Sequence, residues 1–109
     1  MEFWGVEVKP GQALSVKPED QMCVHLSQAT LGELKKDKAN EHVTLFVKIN
    51  GQKLVLGILS AEKFPQISFD LVFEKEFELS HNGKNGSIYC LGYQAPMEDQ
   101  EQYPFVWVL

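Results

Sequence analysis

Apolar residues recur at every second position, in short runs bounded by Gly, Pro, Asn and Asp, which is the spacing of half-buried strands rather than of helices. In FWGVEV, Trp4, Val6 and Val8 share one face, and Pro10-Gly11 ends the run with a turn. A short segment at Leu14 to Val16 precedes MCVHLSQA, in which Met22, Val24 and Leu26 are assigned to the core and Cys23, His25 and Ser27 to the opposite face. The clearest local pattern is VTLFVKI-NG-QKLVLGIL, where Asn50-Gly51 supplies the positive φ angles of a two-residue hairpin turn. Counting outward from Ile49 opposite Gln52 pairs Val47 with Leu54, Leu45 with Leu56 and Val43 with Ile58 on one face. The reverse face carries Phe46 opposite Val55, with Leu59 further along, so both faces of the hairpin read as apolar. A two-layer sandwich of this size buries one face of each sheet; the second apolar face implies contact with another subunit or a partner.

Pro65 introduces ISFDLVF, with Ile67, Phe69, Leu71 and Phe73 on one face and Ser68, Asp70 and Val72 on the other. EKEFELSH continues the alternation through Phe77 and Leu79, which fits either one long bent strand or two strands broken near Glu74-Lys75. Asn82 to Gly86 turns the chain into SIYCLGY. Seven or eight strands follow, and the fold class is all-β, a sandwich or jelly roll. The polar stretch from Gly32 to His42 reads as a solvated loop in which Lys35, Lys36 and Lys38 are offset by Glu33, Asp37 and Glu41. MEDQEQ, residues 97–102, is acidic, and YPFVWVL is an abrupt apolar ending with no assigned role. The expected organisation is one domain over 1–96 and a terminal segment over 97–109.

The chain of 109 residues is one domain's worth of protein, and its 44% hydrophobic and 23% charged content is an ordinary globular mixture. Net charge is −5; residues 1–59 carry seven Lys against seven Asp plus Glu, residues 60–109 three against eight, and there is no Arg. A nucleic-acid interface needs a basic stripe, so direct nucleic-acid binding is disfavoured and a basic protein is the natural complement. No apolar run reaches a membrane span and no secretory leader precedes the first strand, so neither a membrane nor an exported location is expected. Cys23 and Cys90 stand far apart without a C-x-x-C partner and read as buried thiols, not as a disulfide framework or a zinc ribbon.

Five blocks in order, MEFWGVEVKPG, VHLSQATLGE, KLVLGIL, QISFDLVFEKEFELSH and GSIYCLGY, resemble the N-terminal domain of the plant HD-tuin proteins. That family is described as plant-specific nucleolar histone deacetylases with a nucleoplasmin-like N-terminal domain. The opening WG and the GS-x-Y-x-x-G ending also echo nucleoplasmin more distantly. The resemblance runs from Met1 to about Pro96. It implies an eight-stranded jelly-roll barrel that assembles as a homopentamer, with stacking into a decamer as a further step, and that handles histones in the nucleus and nucleolus. The family's long acidic tract has at most a stub here in MEDQEQ.

The resemblance also carries MEFWG, His25 and Asp70 forward as deacetylase residues. Read physically, Cys23 and His25 share a strand face and Asp70 points away from its strand's apolar row, so they meet only if the two strands are neighbours. No nucleophile elbow, zinc-helix motif or phosphate loop accompanies them. No cofactor is therefore expected, zinc being the metal to consider only if the chain hydrolyses amides. Phe3, Trp4, Phe46, Val55 and Leu59 are the candidate oligomer contacts. Glu74, Glu76 and Glu78, repeated around a ring, are the candidate histone contacts. The leading reading is a nonenzymatic histone-binding core of a transcriptional repressor. The alternatives are a histone lysine deacetylase acting through His25 and Asp70, and a scaffold that recruits other chromatin repressors.

Overall fold

The strands expected from the alternation are present in a computed structural model that describes residues 1–32, 41–97 and 107–108. The Lys35, Lys36 and Lys38 stretch and the acidic residues Glu98, Asp99 and Glu101 lie outside the described residues. In chain order the strands are β1 (Glu2–Val8), β2 (Leu14–Val16), β3 (Met22–Leu31), β4 (Val43–Ile49), β5 (Gln52–Leu59), β6 (Gln66–Phe73), β7 (Phe77–His81), β8 (Ile88–Pro96) and β9 (Trp107–Val108). They form a five-stranded sheet in the order β1-β8-β3-β6-β9 and a four-stranded sheet in the order β2-β7-β4-β5. The all-β sandwich expected from the sequence is therefore the fold. The choice left open at Glu74-Lys75 resolves as two strands: β6 ends in one sheet and β7 begins in the other. The crossing is pinned by Phe73 stacked on Phe77 with ring centroids 4.0 Å apart, and Trp4 tilts against Phe77 at 6.4 Å.

Between the sheets lies one apolar cluster that includes Val8, Val24, Leu26, Leu45, Val47, Leu59, Phe73, Phe77, Leu79 and Ile88. Burying such side chains is the main favourable contribution to folding, about 1.5–3 kcal/mol for each large one. The β4–β5 hairpin turns at Asn50 and Gly51, with φ of 52° and 78°, as its sequence requires.

Two sequence expectations fail, both for reasons of sheet geometry. The hairpin register holds from Ile49↔Gln52 to Phe46↔Val55, then shifts by one, so that Leu45 faces Gly57, Thr44 faces Ile58 and Val43 faces Leu59. The bulge at Leu56 exchanges the two faces beyond it. Leu59, expected on the outer face, is fully buried in the core, and Ile58 is 52% exposed in its place. Strand β3 also departs from the one-face pattern: Cys23 and His25 are buried as well as Val24 and Leu26, because β3 is central in its sheet. Cys23, Val72 and Ala95 are buried but stand apart from the principal cluster, forming with His25 a second buried patch on the sheet's other face.

Candidate functional site

Strands β3 and β6 are neighbours, the condition on which a meeting of His25 and Asp70 depended. His25 is register-paired with Val72 on β6 and Tyr93 on β8, which places Asp70 diagonally across from it on the same face. His25 Nε2 and Asp70 Oδ1 are 2.6 Å apart, and the Tyr93 ring meets the imidazole edge-on at 4.4 Å. Their environments are unequal: the His25 side chain is 11% exposed and that of Asp70 61%. Asp70 holds the imidazole from the solvent side through Nε2. The other ring nitrogen, Nδ1, is buried with no hydrogen-bond partner.

That geometry limits the chemistry. In a carboxylate–imidazole base the carboxylate orients one nitrogen and the other takes a proton from a nucleophile or water. Here the free nitrogen is the sealed one, and neither of the two clefts described below touches it. No group of three or more His, Cys, Asp or Glu side chains placed to hold a metal occurs among the described residues. Cys90 is a buried thiol whose pKa burial pushes up to about 12, so it is no nucleophile. Cys23 is equally enclosed, its Sγ 3.4 Å from the Ala95 carbonyl oxygen.

The pair is held by a backbone device that the sequence names only indirectly. Between Leu26 and Gln28 the register of β3 shifts against both β6 and β8. The bulged backbone of β3 presses onto Gly92, where a Cβ would overlap the His25 carbonyl oxygen. Gly92 is the closing glycine of GS-x-Y-x-x-G, and an isolated glycine in a strand pattern marks a bulge or close backbone approach. Gly57, directly after the extra residue Leu56, is the same signal in β5.

A second surface lies on the outer face of the four-stranded sheet. A cleft of about 280 Å³ is lined by Ser15, Lys48, Asn50, Gly51, Glu76 and Glu78, with Phe77 behind it. An adjoining one adds Lys53 and Ser80. Glu74 and Glu76 are exposed in the crossing between β6 and β7, while Glu78 is half-buried on β7, register-paired with Lys48. The three carboxylates thus belong to two settings rather than to one strand face.

The candidate contact residues also separate. Phe3 is 77% and Val55 60% exposed. Phe46 is half-buried, with the Lys53 ammonium 4.3 Å from its ring centroid. Trp4 is half-buried and packs inward against the core, and Leu59 is inside it. Ile58 and Phe64, exposed at 52% and 60%, are contact candidates that the alternation does not offer, since it places Ile58 on the core face and gives Phe64, in the turn after β5, no face. Phe64 is set outward by a turn in which the Ser60 hydroxyl accepts the amide hydrogens of Lys63 and Phe64.

The fold is an all-β sandwich of two sheets with exposed apolar side chains along its edge strand β5, and comparison with known proteins identifies its class. The nucleoplasmin-like domain family matches residues 3–95, and the chain belongs to that family. Among named proteins it is 62% identical over 103 residues to histone deacetylase HDT1 of Solanum chacoense, covering 93% of this chain and 38% of that relative. It is 52% identical to histone deacetylase HDT1 of Arabidopsis thaliana, covering 94% of this chain and 42% of that relative. The chain therefore spans about two-fifths of the length of these relatives. The Drosophila NLP core, a structure described as giving insight into pentamer formation and histone binding, superposes with a TM-score of 0.75 at 19% identity, covering 87% of this chain and 99% of that one. The nucleoplasmin-like N-terminal domain of Drosophila FKBP39 superposes with a TM-score of 0.65 at 22% identity, covering 84% and 86%. The plant relatives and the fold agree with the resemblance carried by the five sequence blocks.

Proposed function

We propose that this chain is the self-assembling, histone-handling core of a nuclear and nucleolar plant transcriptional repressor, a chaperone-like platform and not itself a hydrolase. The observation that carries the reading is the apolar ridge formed by Val55, Ile58 and Phe64 on β5 and its following turn, exposed at 60%, 52% and 60%. A lone subunit gains nothing from wetting three large side chains in one stretch, whereas a second copy buries them. Phe46 and Phe3 extend the contact set; Trp4 and Leu59, which face inward, drop out of it. A homopentamer is the assembly this ridge serves, with the decamer a further stacking step. Glu74, Glu76 and Glu78, multiplied by symmetry, supply the negative field that draws histone Lys and Arg.

The test is the particle mass by light scattering together with histone capture at rising salt. The expected mass is about five times the 12.4 kDa chain, and capture weakens as ionic strength rises because screening shortens the reach of surface charge. A monomer at micromolar concentration would refute assembly; histone capture that ignores salt would refute the charge mechanism. Complete failure to bind histones would favour a scaffold that recruits other chromatin repressors.

The His25–Asp70 contact favours a second reading, histone lysine deacetylation, and the two readings separate on turnover. Metal-replete protein is expected to leave an acetylated histone peptide intact. Turnover abolished by Asp70→Ala, with fold and assembly retained, would reverse the preference.

A further inference from the structure

In an Asn-Gly pair the main-chain nitrogen of the glycine can attack the asparagine side-chain amide, because glycine places no Cβ beside the attacking atom. The chain holds three such pairs, Asn50-Gly51, Asn82-Gly83 and Asn85-Gly86, and the fold surrounds them differently. Asn82 Oδ1 accepts the Thr44 amide hydrogen at 2.8 Å, and the Asn82 amide donates to the Thr44 carbonyl oxygen at 3.2 Å. The side-chain oxygen is thereby fixed on a main-chain N–H, while Asn82 itself stays exposed to water. The Gly83 amide hydrogen is directed at His81 Nδ1, 3.0 Å away, and His81 Nε2–H is tied to the Val8 carbonyl oxygen. Gly83 is buried and tightly packed: a Cβ there would lie 3.1 Å from both His81 Nδ1 and Val43 Cγ2. Neither other pair has this set. Asn50 is exposed at the β4–β5 turn with no side-chain hydrogen bond among the described residues. Asn85 is held through its nitrogen instead, Nδ2 donating to Glu41 Oε2 at 3.1 Å.

We propose that Asn82 is a self-modification site, where His81 and the Thr44 amide promote closure of Asn82 and Gly83 to a succinimide that water opens to aspartate or isoaspartate. His81 Nδ1 lies within the roughly 2.6–3.2 Å reach of a general base from the nitrogen whose proton it takes. The Thr44 N–H already sits on the oxygen where negative charge develops, as an oxyanion donor does. As the proton passes to Nδ1, the Gly83 nitrogen bonds to Asn82 Cγ and the C=O electrons move onto Oδ1. Those electrons then return, the Cγ–Nδ2 bond breaks, and the proton held by His81 leaves with Nδ2 as ammonia. Water adds to one of the two ring carbonyls. Breaking the new bond from Cγ to the Gly83 nitrogen gives aspartate; breaking the original peptide bond gives isoaspartate. The sum is one water consumed and one ammonia released, with no oxidant or cofactor. The product carries one more carboxylate, and isoaspartate reroutes the main chain between β7 and β8. Burial lowers the His81 pKa and the Val8 bond opposes it, with no charged side chain among the causes. This inference rests neither on the pentamer nor on histone capture.

The test incubates the folded 109-residue chain between pH 5 and pH 9 and follows each asparagine by mass spectrometry of its peptides, with isoaspartate detected separately. At neutral pH Asn82 is expected to convert about tenfold or more faster than Asn50 and Asn85, the low end of what a positioned base contributes. In urea, where only the shared dipeptide remains, the three are expected to convert alike. The pH profile separates the mechanisms. Asn50 and Asn85 are expected to accelerate in proportion to hydroxide, whereas Asn82 follows the titration of His81 and levels off above pH 6.5, where the ring is neutral. His81→Phe is expected to bring Asn82 down to the rate of the other two. The proposal is overturned if folded Asn82 converts no faster than Asn50 and Asn85, or if its rate rises with hydroxide throughout. An unchanged rate in a folded His81→Phe variant overturns it as well. The profile is measured on the unmodified chain, so a folding defect of the variant does not decide the outcome.

Discussion

Protonation of His81 would break the local Gly83 bond that fixes its ring for the bond it makes across the sheets to Val8. Its Nε2–H donates to the Val8 carbonyl oxygen at 3.0 Å, and its Nδ1 accepts the Gly83 amide hydrogen at 3.0 Å. The two bonds require the neutral ring, because a proton on Nδ1 would confront the Gly83 N–H. Burial lowers the His81 pKa below its ordinary 6.5, and the Val8 bond opposes this only in part. In that window the unfolded chain binds the proton first, so His81's contribution to stability is complete above pH 6.5 and is lost as pH falls toward the folded pKa. Urea midpoints are expected to drop between pH 7.5 and 5.5, and His81→Phe is expected to remove that part of the slope. The same variant leaves the Val8 C=O and Gly83 N–H unpaired, a loss of about 1–3 kcal/mol at neutral pH. Asp70→Ala is expected to do little by comparison: the carboxylate is 61% exposed, and pairs of that kind contribute about 0–1 kcal/mol. His25 and Asp70 were legible as candidates by resemblance. That Nδ1 would be the buried nitrogen was not, since it depends on how β6 and β8 pack on either side of β3.

At the level of strands, the two bulges decide which residues are inside. Alternation alone assigns Ile58 to the core and Leu59 to the surface, and one extra residue at Leu56 reverses both. Leu59→Ala is expected to lower subunit stability by about 2–5 kcal/mol, the range for emptying a core site. Ile58→Ala is expected to change it by less than about 0.5 kcal/mol. Urea unfolding at dilutions where subunits are separate checks this, and the opposite order would restore the uninterrupted register. Gly92→Ala is the corresponding test for β3. The added methyl meets main-chain atoms of His25 and Ser27, which cannot swing aside, so the variant is expected not to reach a cooperative fold by near-UV circular dichroism. Both bulges had a sequence trace, a glycine inside a strand pattern. A glycine marks the place of a distortion but not which neighbouring strand carries the extra residue.

For the whole molecule, the exposed ridge and the charge distribution are the features that reach beyond one chain. Val55→Lys combined with Ile58→Lys is expected to leave strand content unchanged and to reduce the particle mass severalfold, because charges on the ridge cannot be desolvated between subunits. Unchanged mass in that variant would place the contact elsewhere. Short-range order set much of this protein from the sequence alone: the strands, the Asn50-Gly51 turn, the inward rows of β1 and β4, and the acidity of the second half. Those features depend on alternation, turn stereochemistry and composition, which act over a few residues. Only the tertiary structure decided that Leu59 is inside, that Cys23 and His25 are covered on a second face, that Asp70 reaches His25, and that Trp107 and Val108 pair with β6. Each of these depends on which strands become neighbours and in what register, and that choice is made by packing residues far apart in the chain, where local pattern carries no information.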